Sequence, residues 1–201
     1  MKTTRKLYLI TVICAICMLF SFTSSAQAAS AAKVNRKADA KFNSKVQTIR
    51  KNSQFMVQYK YVDVTGDGIH EAVVEYKPKN MGGSAQKCDV YAYKNGKVKR
   101  ILSTEEYGLT KCIFYKKSGS LIFYGSGHGG EWYSYYKLKS NGNYKYVAER
   151  SRQALAGGGM WDGPWQYYSA GKKITASKFN SLTRKLQAGK KSSFSNWNKY
   201  Y

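Results

Sequence analysis

From Phe55 to residue 149 the chain alternates apolar and polar residues with a period of two, and turn signals cut the pattern into short runs. The runs are 55–63, 71–77, 87–94, 97–102, 110–116, 119–124, 131–139 and 143–149, rich in Tyr, Val and Ile alternating with Lys. Successive side chains of a strand point to opposite faces, so this pattern predicts sheets with one buried and one wet face. Asn95-Gly96 and Asn141-Gly142 are two-residue hairpin signals, and Lys117-Ser118-Gly119 marks a third turn. Links this short suit antiparallel neighbours, because parallel pairing needs a crossover of a dozen residues or more. The expectation is an antiparallel β meander of about seven to eight strands.

Two helices flank it, giving an α+β class. Val34, Ala38, Phe42, Val46 and Ile49 step by four, four, four and three, forming one apolar stripe of a basic helix within 29–53. That stripe is thin and lacks Trp and Leu, so packing on a sheet is expected over lying on an anionic membrane surface. Near the other end Thr175 fits an N-cap, Ile174 and Phe179 fit a hydrophobic staple, and Phe179, Leu182 and Leu186 make a stripe. The β domain with this closing helix is expected over 54–189, followed by a loosely held basic tail, 190–201.

The first 28 residues read as a signal peptide. Lys2, Arg5 and Lys6 precede the apolar run Leu7–Phe22, and Ala26-Gln27-Ala28 is a cleavage signal, with cleavage after Ala28. The run is short for a span, so no transmembrane segment is expected after cleavage. A secreted or cell-surface location follows. Of the remaining cysteines, Cys88 and Cys112, a disulfide is expected in an exported chain, with buried free thiols as the alternative. Bridging a 25-residue loop would restrict the unfolded chain by about 3 kcal/mol.

The full chain carries +23, and loss of the three signal-peptide cations leaves +20. Such a surplus attracts polyanions in a salt-sensitive way, which points to anionic cell-wall polymers or glycans and away from sequence-specific nucleic-acid recognition. Against this background four of the 11 acidic residues, Asp63, Asp67, Glu71 and Glu75, fall within 13 positions. Asp63, Thr65, Asp67 and Glu71 place oxygens at positions 1, 3, 5 and 9 of a loop, with Gly68 at 6 and the Ile69 carbonyl at 7. A hard cation such as calcium wants six to eight oxygens at roughly 2.3–2.6 Å. Clustered carboxylates repel one another unless a cation or lysines neutralise them. Position 12 is Val74, so an EF-hand's bidentate Glu is missing. The competing reading is a plain tight turn at Asp67-Gly68.

The loop resembles the strand–loop–strand Asp-x-Asp-x-Asp-Gly-x-x-Asp/Glu loops of integrin-type FG-GAP repeats. It is also similar to the single, EF-hand-like Asp-x-Asn-Gly-Asp-Gly-x-x-Glu loops of many secreted Gram-positive proteins. The resemblance implies calcium held by Asp63, Asp67 and Glu71, by the Ile69 backbone, and by Thr65 as a neutral ligand. Those families share no single activity.

Two glycine-rich stretches complete the inventory. Residues 125–132 match G-x-G-x-x-G formally, but Trp132 opens a strand where a dinucleotide site needs a helix. His128 and Glu131 there are candidate ligand contacts. Residues 157–168 join a triple glycine to Trp161, Asp162 and Trp165; with Trp132 these tryptophans could stack on sugar rings, while Asp162 bonds hydroxyls. The alternative is that the aromatics cover the open end of a sheet. No residue set reads as a catalytic centre. Three functions follow: an exported, non-enzymatic binding or accessory protein with a structural calcium loop; a cell-wall enzyme or binder using 125–132 and 157–168; or a non-specific polyanion binder.

Overall fold

The computed structural model describes residues 29–51, 54–79, 86–106, 109–127, 129–155, 162–195 and 198–200. Residues 1–28, where a signal peptide is expected, therefore lie outside the described residues. The chain divides into residues 1–37 and 38–201. In the first, residues 29–37 are helical. In the second, the helix α1 (29–51) contributes residues 38–51.

All eight expected strands form: β1 (Phe55–Val62), β2 (Glu71–Pro78), β3 (Gln86–Lys94), β4 (Lys97–Glu106), β5 (Leu109–Tyr115), β6 (Ser120–Gly127), β7 (Gly130–Leu138) and β8 (Tyr144–Gln153). Four short ones follow: β9 (Gln166–Ser169), β10 (Lys172–Ile174), β11 (Lys191–Phe194) and β12 (Asn198–Tyr200), with α2 (Ala176–Thr183) between β10 and β11. The meander splits into two antiparallel sheets, β12-β1-β2-β3-β4 and β10-β9-β8-β7-β6-β5-β11.

Residues 38–201 stack as helix, sheet, sheet, helix. Ala38, Phe42 and Val46 of α1 are fully buried against Val57, Tyr59, Val74 and Tyr91 on one face of the first sheet. The opposite face supplies Val73, Cys88 and Val90 to a core shared with Cys112, Phe114, Leu121 and Phe123 of the second sheet. Phe179 of α2 and Leu186 of the following 3-10 turn cover Ile113, Ile122, Tyr135 and Ala148 on the far side. Thr175 caps α2 as expected, its hydroxyl accepting from the Lys178 amide at 3.2 Å. Among the described residues no helix is long and apolar enough to cross a membrane.

Three expectations need correction. The disulfide is not present: Cys88 and Cys112 are unbridged thiols buried in one apolar cluster, and burial pushes the Cys112 thiol well up. They act as small apolar fillers between the sheets. The tail is not loose over its described part, since β11 pairs with β5 and β12 with β1. An edge strand leaves backbone N–H and C=O groups unpaired, and the last residues satisfy one edge of each sheet. Asn95 and Gly96 take φ of 51° and 78°, a two-residue hairpin as read, but at the Asn141-Gly142 site only Gly142 is left-handed, φ 77°. There the Gly142 amide donates to Lys139 O, making a longer turn.

Candidate functional site

The acidic loop between β1 and β2 folds on its own donors. Asp63 accepts from the Gly66 amide (2.7 Å) and the Gly68 amide (3.2 Å), and Asp67 accepts from the Ile69 amide (2.9 Å). Glu71 turns inward, 1 % exposed, and takes the Val64 and Thr65 amides and the Thr65 hydroxyl. Burial, reinforced by the charges of Asp67 and Asp63, drives its carboxyl up to about 8 against the two amide bonds. Val74, at the position where an EF-hand places its last ligand, is fully buried under α1.

A lysine supplies the neutralising charge. Lys116, from the 3-10 turn joining β5 to β6, reaches Asp63 Oδ2 at 2.7 Å. The approach is so close that a Cβ on Gly66, φ 89°, would lie 3.0 Å from Lys116 Cβ. Among the described residues no three Asp, Glu, His or Cys side chains converge on one point. The donor types of Asp63, Thr65, Asp67 and Glu71 suit a hard cation, but their arrangement here is that of a lysine-neutralised turn.

A second site lies on the helix-facing side of the second sheet, where that side runs beyond its helical cover. Strand register places Lys111, Tyr124, Tyr133 and Arg150 side by side in one row across β5, β6, β7 and β8, with Tyr167 of β9 next. The neighbouring row, Ile113, Ile122, Tyr135 and Ala148, lies under Phe179 and Leu186. Where that cover ends, at Gln187, a cavity of about 370 Å³ opens over Tyr115, Tyr124, Tyr133 and Tyr135. Its charged lining is Lys111, Arg150 and Lys191, all cationic.

The Arg150 guanidinium sits over two rings, 4.4 Å from the Tyr133 centroid and 4.6 Å from that of Trp165. Aromatic faces hold a planar cation by quadrupole attraction while leaving its N–H edge exposed. Arg150 makes no salt bridge among the described residues, and its Nε is buried without a hydrogen-bond partner. Arg152, one row away, is matched: Glu131 accepts from it at 2.5 Å and from the Tyr124 hydroxyl at 3.2 Å. Burial, followed by the Glu131 bond, raises the Tyr124 phenol, and burial raises that of Tyr135, so both hydroxyls keep their protons at neutral pH.

Of the aromatic-loop candidates, Glu131 and Trp165 meet through Arg152, whose guanidinium lies 4.7 Å from the Trp165 ring. Trp132 alternates to the face opposite Glu131 and Tyr133, so it does not join them. Asp162 accepts from the Leu155 amide at 2.9 Å, closing its own loop. His128 and Trp161 lie outside the described residues. The sequence reading passed over Lys111, Tyr124, Tyr133 and Arg150. Alternation alone puts Tyr133 and Tyr135 on one face, but the row appears only with the register of four strands. No protein-family model, no curated protein and no solved structure matches the chain.

Proposed function

We propose that this chain is an exported, non-enzymatic binding protein that holds an anionic extracellular polymer, such as a cell-wall polymer or acidic glycan, on the Lys111–Arg150 row. The observation that carries the reading is Arg150: a guanidinium seated on Tyr133 and Trp165, without a carboxylate partner among the described residues, at the edge of a cavity whose charged lining is cationic. A buried or half-buried charge without a counter-ion is costly, and an incoming oxyanion removes that cost. Export rests on the N-terminal signal read in the sequence.

Binding of a labelled acidic polysaccharide, followed by fluorescence anisotropy at rising salt, tests it. Affinity should fall steeply with salt, as ionic contacts require. Arg150→Gln should weaken binding by about 1.5–3 kcal/mol, the range for a hydrogen bond to a charged group. The double variant Lys97→Gln/Lys99→Gln, which removes two exposed cations from the other sheet, should change it far less. Equal losses from both variants would reduce the attraction to net charge alone.

A second reading concerns the acidic loop. Calcium at millimolar concentration would act there as a structural ion, taking over at Asp63 the role of Lys116. What favours it is the mutual repulsion of Asp63, Asp67 and Glu71, which contributes to the high Glu71 pKa. Asp67→Ala should abolish any calcium-induced rise in melting temperature.

A further inference from the structure

We infer that the row recognises a short acidic oligosaccharide, with an oxyanion at each end and sugar rings over the tyrosines between; this rests on the anionic-polymer reading above. Lys111 and Arg150 stand three strands apart, so their backbones are separated by about 14 Å, three times the strand spacing. Between them lie Tyr124 and Tyr133, ring centroids 4.7 Å apart and tilted 39°. The sequence of groups across the sheet is thus cation, phenol, phenol, cation.

Each part suits a different feature of one ligand. Arg150 lies against both Tyr133 and Trp165, whose ring centroids are 6.0 Å apart, and its planar fork of N–H groups suits two oxygens of one oxyanion. Sugar rings have an apolar C–H face and a rim of hydroxyls. The half-buried rings of Tyr124 and Tyr133 offer apolar surface above a floor of buried Ile113, Ile122 and Tyr135, while the exposed Gln187 amide offers hydrogen bonds. An inorganic polyphosphate would satisfy the cations but leave the tyrosines without a partner. Duplex nucleic acid is too broad to enter a cavity of about 370 Å³.

The test is calorimetric titration of the full chain with three probes: tetragalacturonate, its neutral methyl ester, and inorganic tetrapolyphosphate. Tetragalacturonate should bind with one-to-one stoichiometry, and the other two at least tenfold more weakly. Arg150→Lys keeps the charge but loses the fork, and should cost tetragalacturonate at least tenfold. Lys111→Gln, a half-buried residue at the far end of the row, should weaken it severalfold and serves should Arg150→Lys disturb folding. If tetrapolyphosphate binds as tightly as tetragalacturonate and both depend on Arg150, the carbohydrate inference falls and the anion-binding reading survives. A methyl ester that binds equally well removes the oxyanion from recognition. If no probe binds, or Arg150→Lys behaves like Lys97→Gln/Lys99→Gln, both readings fall.

Discussion

Raising the pH from 4.5 to 9 in metal-free buffer should lower the stability of this protein by about 4 kcal/mol through Glu71 alone. Its carboxyl titrates near 4.5 in the unfolded chain and at about 8 in the fold, and each pKa unit is worth about 1.36 kcal/mol. The folded state therefore holds the extra proton between these values. Its favourable contribution is complete below pH 4.5 and is lost as pH rises through 8. Glu71→Gln isolates the effect, because glutamine keeps an oxygen for the Val64 and Thr65 amides and does not titrate. Urea unfolding across this range should show a slope in the native protein that the variant lacks. If calcium occupies the turn, it should flatten that slope by favouring the ionised carboxylate, while magnesium-free chelating buffer restores it. Parallel pH profiles for native and Glu71→Gln would show that Glu71 titrates in the fold as it does when unfolded.

Phe42→Ala should remove about 3–5 kcal/mol, the usual range for truncating a fully buried aromatic side chain. Phe42 has no exposed surface and packs 5.5 Å from the Tyr61 ring, in the layer that joins α1 to the first sheet. The expected signature is a lower urea midpoint with an unchanged slope. A loss under about 1 kcal/mol would mean that α1 does not seal that face, as would hold for a helix whose stripe serves a membrane surface.

These two residues also mark what could be read in advance. Phe42 sat on a stripe spaced at helical intervals, and eight strand runs emerged from alternation because each pattern is local to a few residues. Asn95-Gly96 was legible for the same reason, since both residues tolerate positive φ. Ala170-Gly171 was not: alanine at φ 50° breaks the residue preference, and the β9–β10 hairpin holds it there. The strands β11 and β12 were hidden because pairing with distant β5 and β1 decides them. Long-range pairing also separated the acidic loop's reading from its outcome. The cluster of carboxylates was visible, whereas its neutralising partner, Lys116, stands 53 positions away from Asp63. The Lys111–Arg150 row is the extreme case, assembled from four strands whose individual residues carry no motif.

The central claim is that the edge of one guanidinium, held on two aromatic rings, receives an anion. The side-chain Nε–H resonance of Arg150 in a proton–nitrogen correlation spectrum, assigned through Arg150→Lys, belongs to a buried nitrogen of that guanidinium and senses a charge placed at its edge. Titration with tetragalacturonate should move this resonance progressively to a saturating end point, with the Trp165 indole resonance following and Arg100, on β4 of the other sheet, unaffected. A titration that shifts lysine-rich surface amides across both sheets while the Arg150 resonance stays in place would contradict the account.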